Sequence, residues 1–250
     1  MAFDSITPVE CAEKVAKAGK IAVLTGAGMS TAAGVPDFRG PRGLYVTRAY
    51  DPEKVFEINY FDRDPVPFYQ FTRDFLGILD SIEPTFTHRF LAALEKDGKD
   101  VGIVTQNIDG LHQRAGSSLV LPFHGDYSTA HCRRCGRGMT GKDLVALLAK
   151  MDVPACPACG GVVKPDVVFF GENVRHLGES ERLVGASDLL LVLGSSLTVY
   201  PAAALPHQAG GEVVIVNQGE VGMRGGPGIY MADMGLDDFF HGVAEALERC

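Results

Sequence analysis

The chain has 250 residues, 46% of them apolar and 22% charged, with a formal net charge of -8. That length holds one large domain with a full core, or a large domain carrying a small insert. The acidic balance argues against a phosphate-backbone binder, which needs a basic stripe, and no apolar run reaches the ~18 residues that would span a bilayer, so neither nucleic acid nor membrane is expected as a partner. Met1-Ala2-Phe3-Asp4-Ser5 has neither the basic nor the apolar region of a secretion signal. Of the six cysteines, Cys11 and Cys250 stand alone and the rest form two C-x-x-C pairs. This usage implies metal chemistry in a reducing, cytoplasmic setting rather than a disulfide framework.

In chain order, Thr7-Pro8-Val9-Glu10 is a capping box with proline at the first helical position, which predicts a helix to about Ala18, ended by Gly19. Ile21–Thr25 is apolar enough for a strand buried on both faces, and a glycine-rich turn follows. Residues 40–80 mix proline, aspartate and aromatics, with helical spacing best over Pro65–Leu79; Tyr45–Leu79, irregular and proline-rich, is expected to be mobile. Thr85–Lys96 reads as an amphipathic helix ended near Gly98. Further strand candidates are Val101–Thr105, Leu119–Phe123, Val167–Phe170, Leu189–Leu193 and Val213–Val216. Helical stretches between and after them include Pro201–Ala209 and Asp237–Glu248. The alternation predicts an α/β fold with a doubly wound, mainly parallel sheet. Residues 130–164 interrupt it, hold all the paired cysteines and read as an insert.

The most specific spacing is Cys132-x2-Cys135-x20-Cys156-x2-Cys159. Two thiolate pairs close a tetrahedral shell suited to structural zinc, with no position left for a catalytic water; a pair of redox motifs is the other reading. His131 is an alternative ligand. Gly26-Ala27-Gly28-Met29-Ser30 follows the first long strand, where glycines let a backbone approach a pyrophosphate. Thr31 replaces the last glycine of the dinucleotide fingerprint, and no acid ends a second strand about 20 residues on, so a plain turn fits equally. Asp37-Phe38-Arg39, in a Gly/Pro loop, supplies groups for a ribose, a ring and a phosphate.

Polar residues recur after other strands: Gln106-Asn107-Ile108-Asp109, His124-Gly125, Gly194-Ser195-Ser196 and Asn217-Gln218-Gly219-Glu220. Ligands of doubly wound sheets bind outside the carboxyl ends of strands, and together these groups suit one extended dinucleotide. Singly, each also fits an ordinary polar loop. His124 has a side chain suited to proton transfer near neutrality. The other histidines, including His88 and His112, read as surface or packing residues.

In order, GAGMS, GVPDFR, TQNID, HG, two C-x-x-C pairs, FFGE, GSS and VNQGE resemble the sirtuins over about Gly19 to Glu220. The resemblance implies a Rossmann-like large domain (residues 1–40, 80–129 and 165–250), a zinc insert (130–164) and a helical cofactor-binding segment (41–79). It further implies that NAD and acyl-lysine meet in the cleft between the domains. By matching position, the ADP-ribose part of NAD would be held by Ala27, Ser30, Arg39, Gln106, Ser195, Ser196, Asn217 and Glu220, with Gly26, Gly28, Asp37 and Gly194 in the same loops. Phe38, Asn107, Ile108 and Asp109 would line the nicotinamide pocket. His124 would be the general base, and Asn107 joins it as a catalytic candidate. The peptide would lie as an added strand between Val168-Phe169-Phe170-Gly171 and Leu197-Thr198-Val199-Tyr200. Met234 and Gly235 are candidates for the adenine contact.

The activity so implied is NAD-dependent deacylation of protein lysines by a monomer, giving nicotinamide, O-acyl-ADP-ribose and free lysine. A mono-ADP-ribosyltransferase or NAD glycohydrolase on the same fold is the alternative, and a non-enzymatic zinc-ribbon module a more distant one. Relatives that prefer acidic acyl groups carry Tyr-x-x-Arg. Here Tyr69-Gln70-Phe71-Thr72 has threonine at the last position, with Arg73 about 100° further round the helix. A neutral acyl group, acetyl first, is therefore expected.

Overall fold

The structure, a computed structural model, describes residues 2–35 and 50–249. The candidates Asp37, Phe38 and Arg39 lie outside the described residues. In chain order the strands are β1 (Asp4–Ser5), β2 (Lys20–Thr25), β3 (Asp100–Thr105), β4 (Val120–Pro122), β5 (Thr129–Cys132), β6 (Gly138–Thr140), β7 (Val163–Pro165), β8 (Leu189–Leu193), β9 (Glu212–Val216) and β10 (Ile229–Ala232). The α-helices are α1 (Pro8–Lys17), α2 (Pro52–Val55), α3 (Ile58–Arg63), α4 (Val66–Leu79), α5 (Phe86–Lys96), α6 (Leu111–Ala115), α7 (Gly141–Leu148), α8 (Leu177–Gly185) and α9 (Leu236–Leu247). The chain divides into two compact units: Met1–Val35, Glu83–Phe123 and His176–Cys250 form one, Pro36–Ile82 and His124–Arg175 the other.

The first unit is a seven-stranded parallel sheet in the order β1-β10-β9-β8-β2-β3-β4. From β2 the chain winds outward through β3 and β4, then returns to β8 on the other side. The β2–β8 boundary is thus a topological switch point, where loops diverge and leave a ligand crevice. Every residue of β8 is buried, which is why its sequence, LLLVL, is apolar throughout rather than alternating. One face of the sheet packs on α1, α5 and α9 through residues such as Val15, Leu91, Phe240 and Val243 against Ile21, Val23, Ile103 and Leu191.

The N-terminal cap expected at Thr7 forms, and α5 carries a second at Thr85. The Thr7 hydroxyl accepts from the Glu10 N–H while the Glu10 carboxylate accepts from the Thr7 N–H at 2.8 Å. At α5 a histidine stands where a capping box usually has an acid, and His88 Nδ1 accepts from the Thr85 N–H.

The second unit holds the three-stranded antiparallel sheet β6-β5-β7 with α2, α3, α4 and α7. It extends beyond the expected insert at both ends, because β5 pairs with β7 and the Val168 N–H donates to the His124 carbonyl at 2.7 Å. Residues 124–129 and 165–175 thereby join the zinc unit.

One expectation needs correction. Val167–Phe170 is not a strand of either sheet. It is an extended segment whose Phe170 N–H donates to the Phe56 carbonyl and whose Phe170 carbonyl accepts from the Ile58 N–H, leaving one isolated bridge, Glu57 to Phe170. Pro201–Ala209 forms a 3-10 helix, Ala202–Gln208, because Pro206 lacks the N–H that an α-helix would use. Gly26, Gly28 and Gly194 allow one turn to enter another. The Gly26 N–H donates to the Leu193 carbonyl at 3.0 Å and the Gly28 N–H to the Gly194 carbonyl at 2.9 Å. A Cβ on Gly28 would sit 2.8 Å from Gly194 Cα, and one on Gly194, whose φ is +61°, would sit 2.4 Å from the Met29 nitrogen.

Gly194→Ala is therefore expected to cost about 2 kcal/mol or more, combining left-handed strain with backbone overlap. Gly178→Ala, in α8 with only an Arg182 guanidinium nitrogen within contact, is expected to be neutral or to stabilise by about 0.5 kcal/mol. Denaturant midpoints of the two variants check this; equal midpoints would contradict it.

Candidate active site

At the carboxyl edge of the sheet, the residue after each strand bonds the last carbonyl of its neighbour. The Gln106 N–H donates to Thr25, Phe123 to Thr105, Gly194 to Val216 and Asn217 to Ala232, at 2.8–3.2 Å. This ladder brings the polar residues that follow β2, β3, β8 and β9 to one edge.

Within it, Gln106 Nε2 donates to Ser195 Oγ at 2.9 Å. Asn107 Nδ2 donates to the Gly26 carbonyl at 3.0 Å and to Ser30 Oγ at 3.1 Å. Ser30 in turn donates to Asp109 Oδ2 at 2.7 Å, and the Leu111 N–H donates to Asp109 Oδ1 at 2.9 Å. Asp109 is 7% exposed. Burial raises its carboxyl above the usual range, and the Leu111 and Ser30 bonds pull it back. Ile108 is also buried.

After β8, Ser196 Oγ lies 3.0 Å from Thr198 Oγ1, and Leu197 is buried in the left-handed region at φ 52°. Gly222 makes room for that backbone: a Cβ there would meet the Leu197 carbonyl at 2.4 Å. Val199 is half-buried and Tyr200 exposed. After β9, Asn217 Nδ2 donates to the Gln218 carbonyl at 3.1 Å, and Glu220 is exposed. Serine and threonine hydroxyls, carboxamides and turn amides on one sheet edge are the donor set that a dinucleotide's phosphates and riboses require.

In the second unit, His124 is half-buried, followed by Gly125 at φ +69°, where a Cβ would strike the Asp166 carbonyl oxygen. Val167 and Phe169 are buried, Val168 is half-buried and Phe170 is exposed. A residue absent from the sequence expectations holds this segment. Lys164, 1% exposed, donates to Glu172 Oε2 at 2.8 Å and to the Val167 carbonyl at 2.7 Å, over the Phe169 ring. Glu172 also accepts from the Phe169 N–H at 2.9 Å. Burial lowers the Lys164 ammonium and Glu172 opposes that shift. A lysine inside the run Val162-Val163-Lys164-Pro165-Asp166-Val167-Val168 was the available signal, because such a position is apolar unless the charge is paired.

The four paired cysteines converge, with every Sγ within 4.8 Å of the others. Cys132 and Cys159 sulfurs are 3.4 Å apart, and Cys135 and Cys156 sulfurs 3.8 Å. Tetrahedral zinc with bonds of about 2.3 Å needs sulfurs about 3.8 Å apart, so the set fits structural zinc. The Cys135 N–H, opposed by burial and joined by the Arg134 N–H, pulls the Cys132 thiol down to about 6. A Cβ on Gly161 would meet Cys132 Sγ at 3.0 Å, so glycine is needed for that approach. His131 is not part of the cluster; its Nδ1 donates to Asp166 Oδ1 at 2.8 Å.

The positions compared with the Tyr-x-x-Arg pattern lie on α4. Tyr69 is fully buried and donates to the Val163 carbonyl. Thr72 Oγ1 lies 3.3 Å from the Tyr127 hydroxyl. Arg73 donates to the Met151 and Asp152 carbonyls at 2.7 and 2.8 Å.

The Sir2 family model matches residues 26–201. The NAD-dependent protein deacetylase of Thermotoga maritima is 45% identical over 202 residues, covering 79% of this chain and 81% of that protein. Its counterpart in Saccharolobus solfataricus is 42% identical over 212 residues, covering 84% and 85%. A solved structure of Sir2 with a p53 peptide and NAD+ matches with a TM-score of 0.87 at 37% identity, covering 98% of this chain and 100% of that one. Sir2 bound to acetylated peptide matches at 0.85 and 36%, covering 96% and 98%.

Chelation is expected to release zinc stoichiometric with protein and to open the segment between Cys132 and Cys159 to protease, because metal binding is part of that module's folding free energy. Metal analysis with limited proteolysis checks this; a zinc-free preparation with unchanged resistance would contradict it.

Proposed function

The chain belongs to the Sir2 family, and on that premise we propose that it removes acyl groups, acetyl first, from protein lysines with NAD as co-substrate and structural zinc in its second unit. The observation that carries this reading is the Ser30–Asn107–Asp109 network at the carboxyl ends of β2 and β3, within the polar edge formed with Ser195 and Asn217. The names of the relatives favour deacetylation over ADP-ribosyl transfer or simple NAD hydrolysis. NAD supplies an electrophilic ribose carbon and takes the acyl group away as O-acyl-ADP-ribose.

In this reading Asn107, Ile108 and Asp109 receive the nicotinamide end, with Phe38 in the same role. Gln106, Ser195, Ser196, Asn217 and Glu220 hold the rest of the dinucleotide, with Ala27 and Arg39. Because Asn107 and Asp109 are already tied to Ser30 and to the β2 turn, little reorganisation is needed when NAD binds, the condition under which fixed dipoles are most effective. His124 takes a proton from the ribose hydroxyls. The peptide adds as an extended strand to the backbone of Val168–Gly171, so backbone bonds give affinity while flanking sequence varies; Leu197–Tyr200 is the other candidate peptide segment.

The Lys164–Glu172 pair supports the peptide role of the first segment, since it fixes that backbone from the buried side. The compartment that fits cysteines paired for metal rather than for disulfides is the cytoplasm, and the working unit is read as the monomer, with no nucleic acid involved. Among the described residues no helix is long and apolar enough to cross a membrane.

His124→Ala is expected to lower deacetylation by about 10²–10⁴-fold or more while thermal midpoint and zinc content stay unchanged. Wild-type turnover by that variant would overturn the base assignment. With Thr72 at the arginine position and Arg73 spent on carbonyls, kcat/KM on an acetyl-lysine peptide is expected to exceed that on its succinyl counterpart; the reverse order would contradict the neutral-acyl reading.

A further inference from the structure

Two buried histidines stand behind this site without a part in the chemistry: His88, 0% exposed, and His112, 1% exposed. Their ring centroids are 4.6 Å apart, tilted by 54°. His112 Nε2 lies 3.1 Å from Thr25 Oγ1, Thr25 donates to Thr105 Oγ1 at 2.8 Å, and Thr105 Oγ1 accepts from the Asn107 N–H at 3.1 Å. Asn107 continues through Ser30 to Asp109, and Asp109 accepts from the N–H of Leu111, the residue before His112. The hydrogen bonds form a closed circuit that starts and ends on α6, with Asn107 and Asp109 inside it.

The protons in this circuit can be assigned. The Thr85 N–H donates to His88 Nδ1, so in the neutral ring that nitrogen is bare and Nε2 carries the hydrogen. The Thr25 hydroxyl is spent on Thr105, so Thr25 Oγ1 receives its hydrogen from His112 Nε2, and His112 Nδ1 is bare. Among the described residues, His88 Nε2 and His112 Nδ1 are buried ring atoms that find no partner. One is a spare donor, the other a spare acceptor, and their rings are neighbours. Neither ring takes a second proton near neutrality: burial lowers His88 to about 4 and His112 well below the usual value.

We infer that His112, in its Nε2–H tautomer, is a positioning residue for the turn Gln106–Asp109 and sets the orientation in which Asn107 and Asp109 meet NAD. The inference rests on reading those two residues as NAD contacts. It assigns His112 an indirect role, acting through Thr25 and Thr105.

The test has two arms. Nitrogen-15 NMR of histidine-labelled, zinc-replete wild type at pH 7 is expected to show both rings as neutral Nε2–H tautomers. A neutral Nδ1–H form, or a protonated ring, at His112 would overturn the inference without reference to activity. Steady-state kinetics then compare His112→Leu, which removes the donor to Thr25, with His112→Gln, whose amide N–H replaces it. His112→Leu is expected to raise KM for NAD by about tenfold, the loss of one buried hydrogen bond, with KM for the acetylated peptide within about twofold and His112→Gln close to wild type. Wild-type KM for NAD in the leucine variant, or equal damage in both variants, would overturn it. Absence of NAD-dependent deacetylation in wild type would instead sink the functional reading, and the tautomers would still decide this one.

Discussion

The entry of the turn after β2 into the turn after β8 is the constraint on which the first unit's site depends. These strands adjoin at the switch point, and their loops approach closely only because Gly26, Gly28 and Gly194 have no side chains. With the backbones locked through Gly26 to Leu193 and Gly28 to Gly194, Ser30 is delivered to Asp109 and Ser195 to Gln106. A side chain at any of the three glycines would separate residues read as contacts of one ligand.

That packing also decides what the buried polar groups can do. Two donors face Asp109 in a nearly closed setting and oppose the upward pull of burial on its carboxyl, and Asn107 is oriented by the β2 turn before any ligand arrives. In the second unit Lys164 follows the same rule: a buried charge is tolerable where a carboxylate and carbonyls receive it, and here the partners lie on the segment it must hold. Both units spend buried charge on fixing backbone next to positions read as ligand contacts.

Much of this was legible in the residues. The Thr7 capping box, the apolar runs of β2, β3, β8 and β9, and the cysteine spacing carry local signals with few alternatives, and they formed as read. Val167–Phe170 misled because its apolar composition reflects burial of Val167 and Phe169 in a segment bonded irregularly to Phe56, Ile58 and Glu172. β1 and β10 are too short to carry a pattern, and β5, β6 and β7 are set by the cysteine turns rather than by periodicity. The glycines were visible, but whether they admit a phosphate or another turn depends on a strand over 160 residues away. His88 and His112 read as packing residues because their pairing is a property of α5 and α6 side by side, which neither segment encodes alone.

The most direct measurement is nicotinamide release from NAD by the zinc-replete protein, with an acetyl-lysine peptide and with the same peptide unmodified. The account predicts release only with the acetylated peptide, in step with O-acetyl-ADP-ribose. Release that proceeds equally without acetyl-lysine would contradict it and indicate an NAD glycohydrolase or transferase built on the same polar edge.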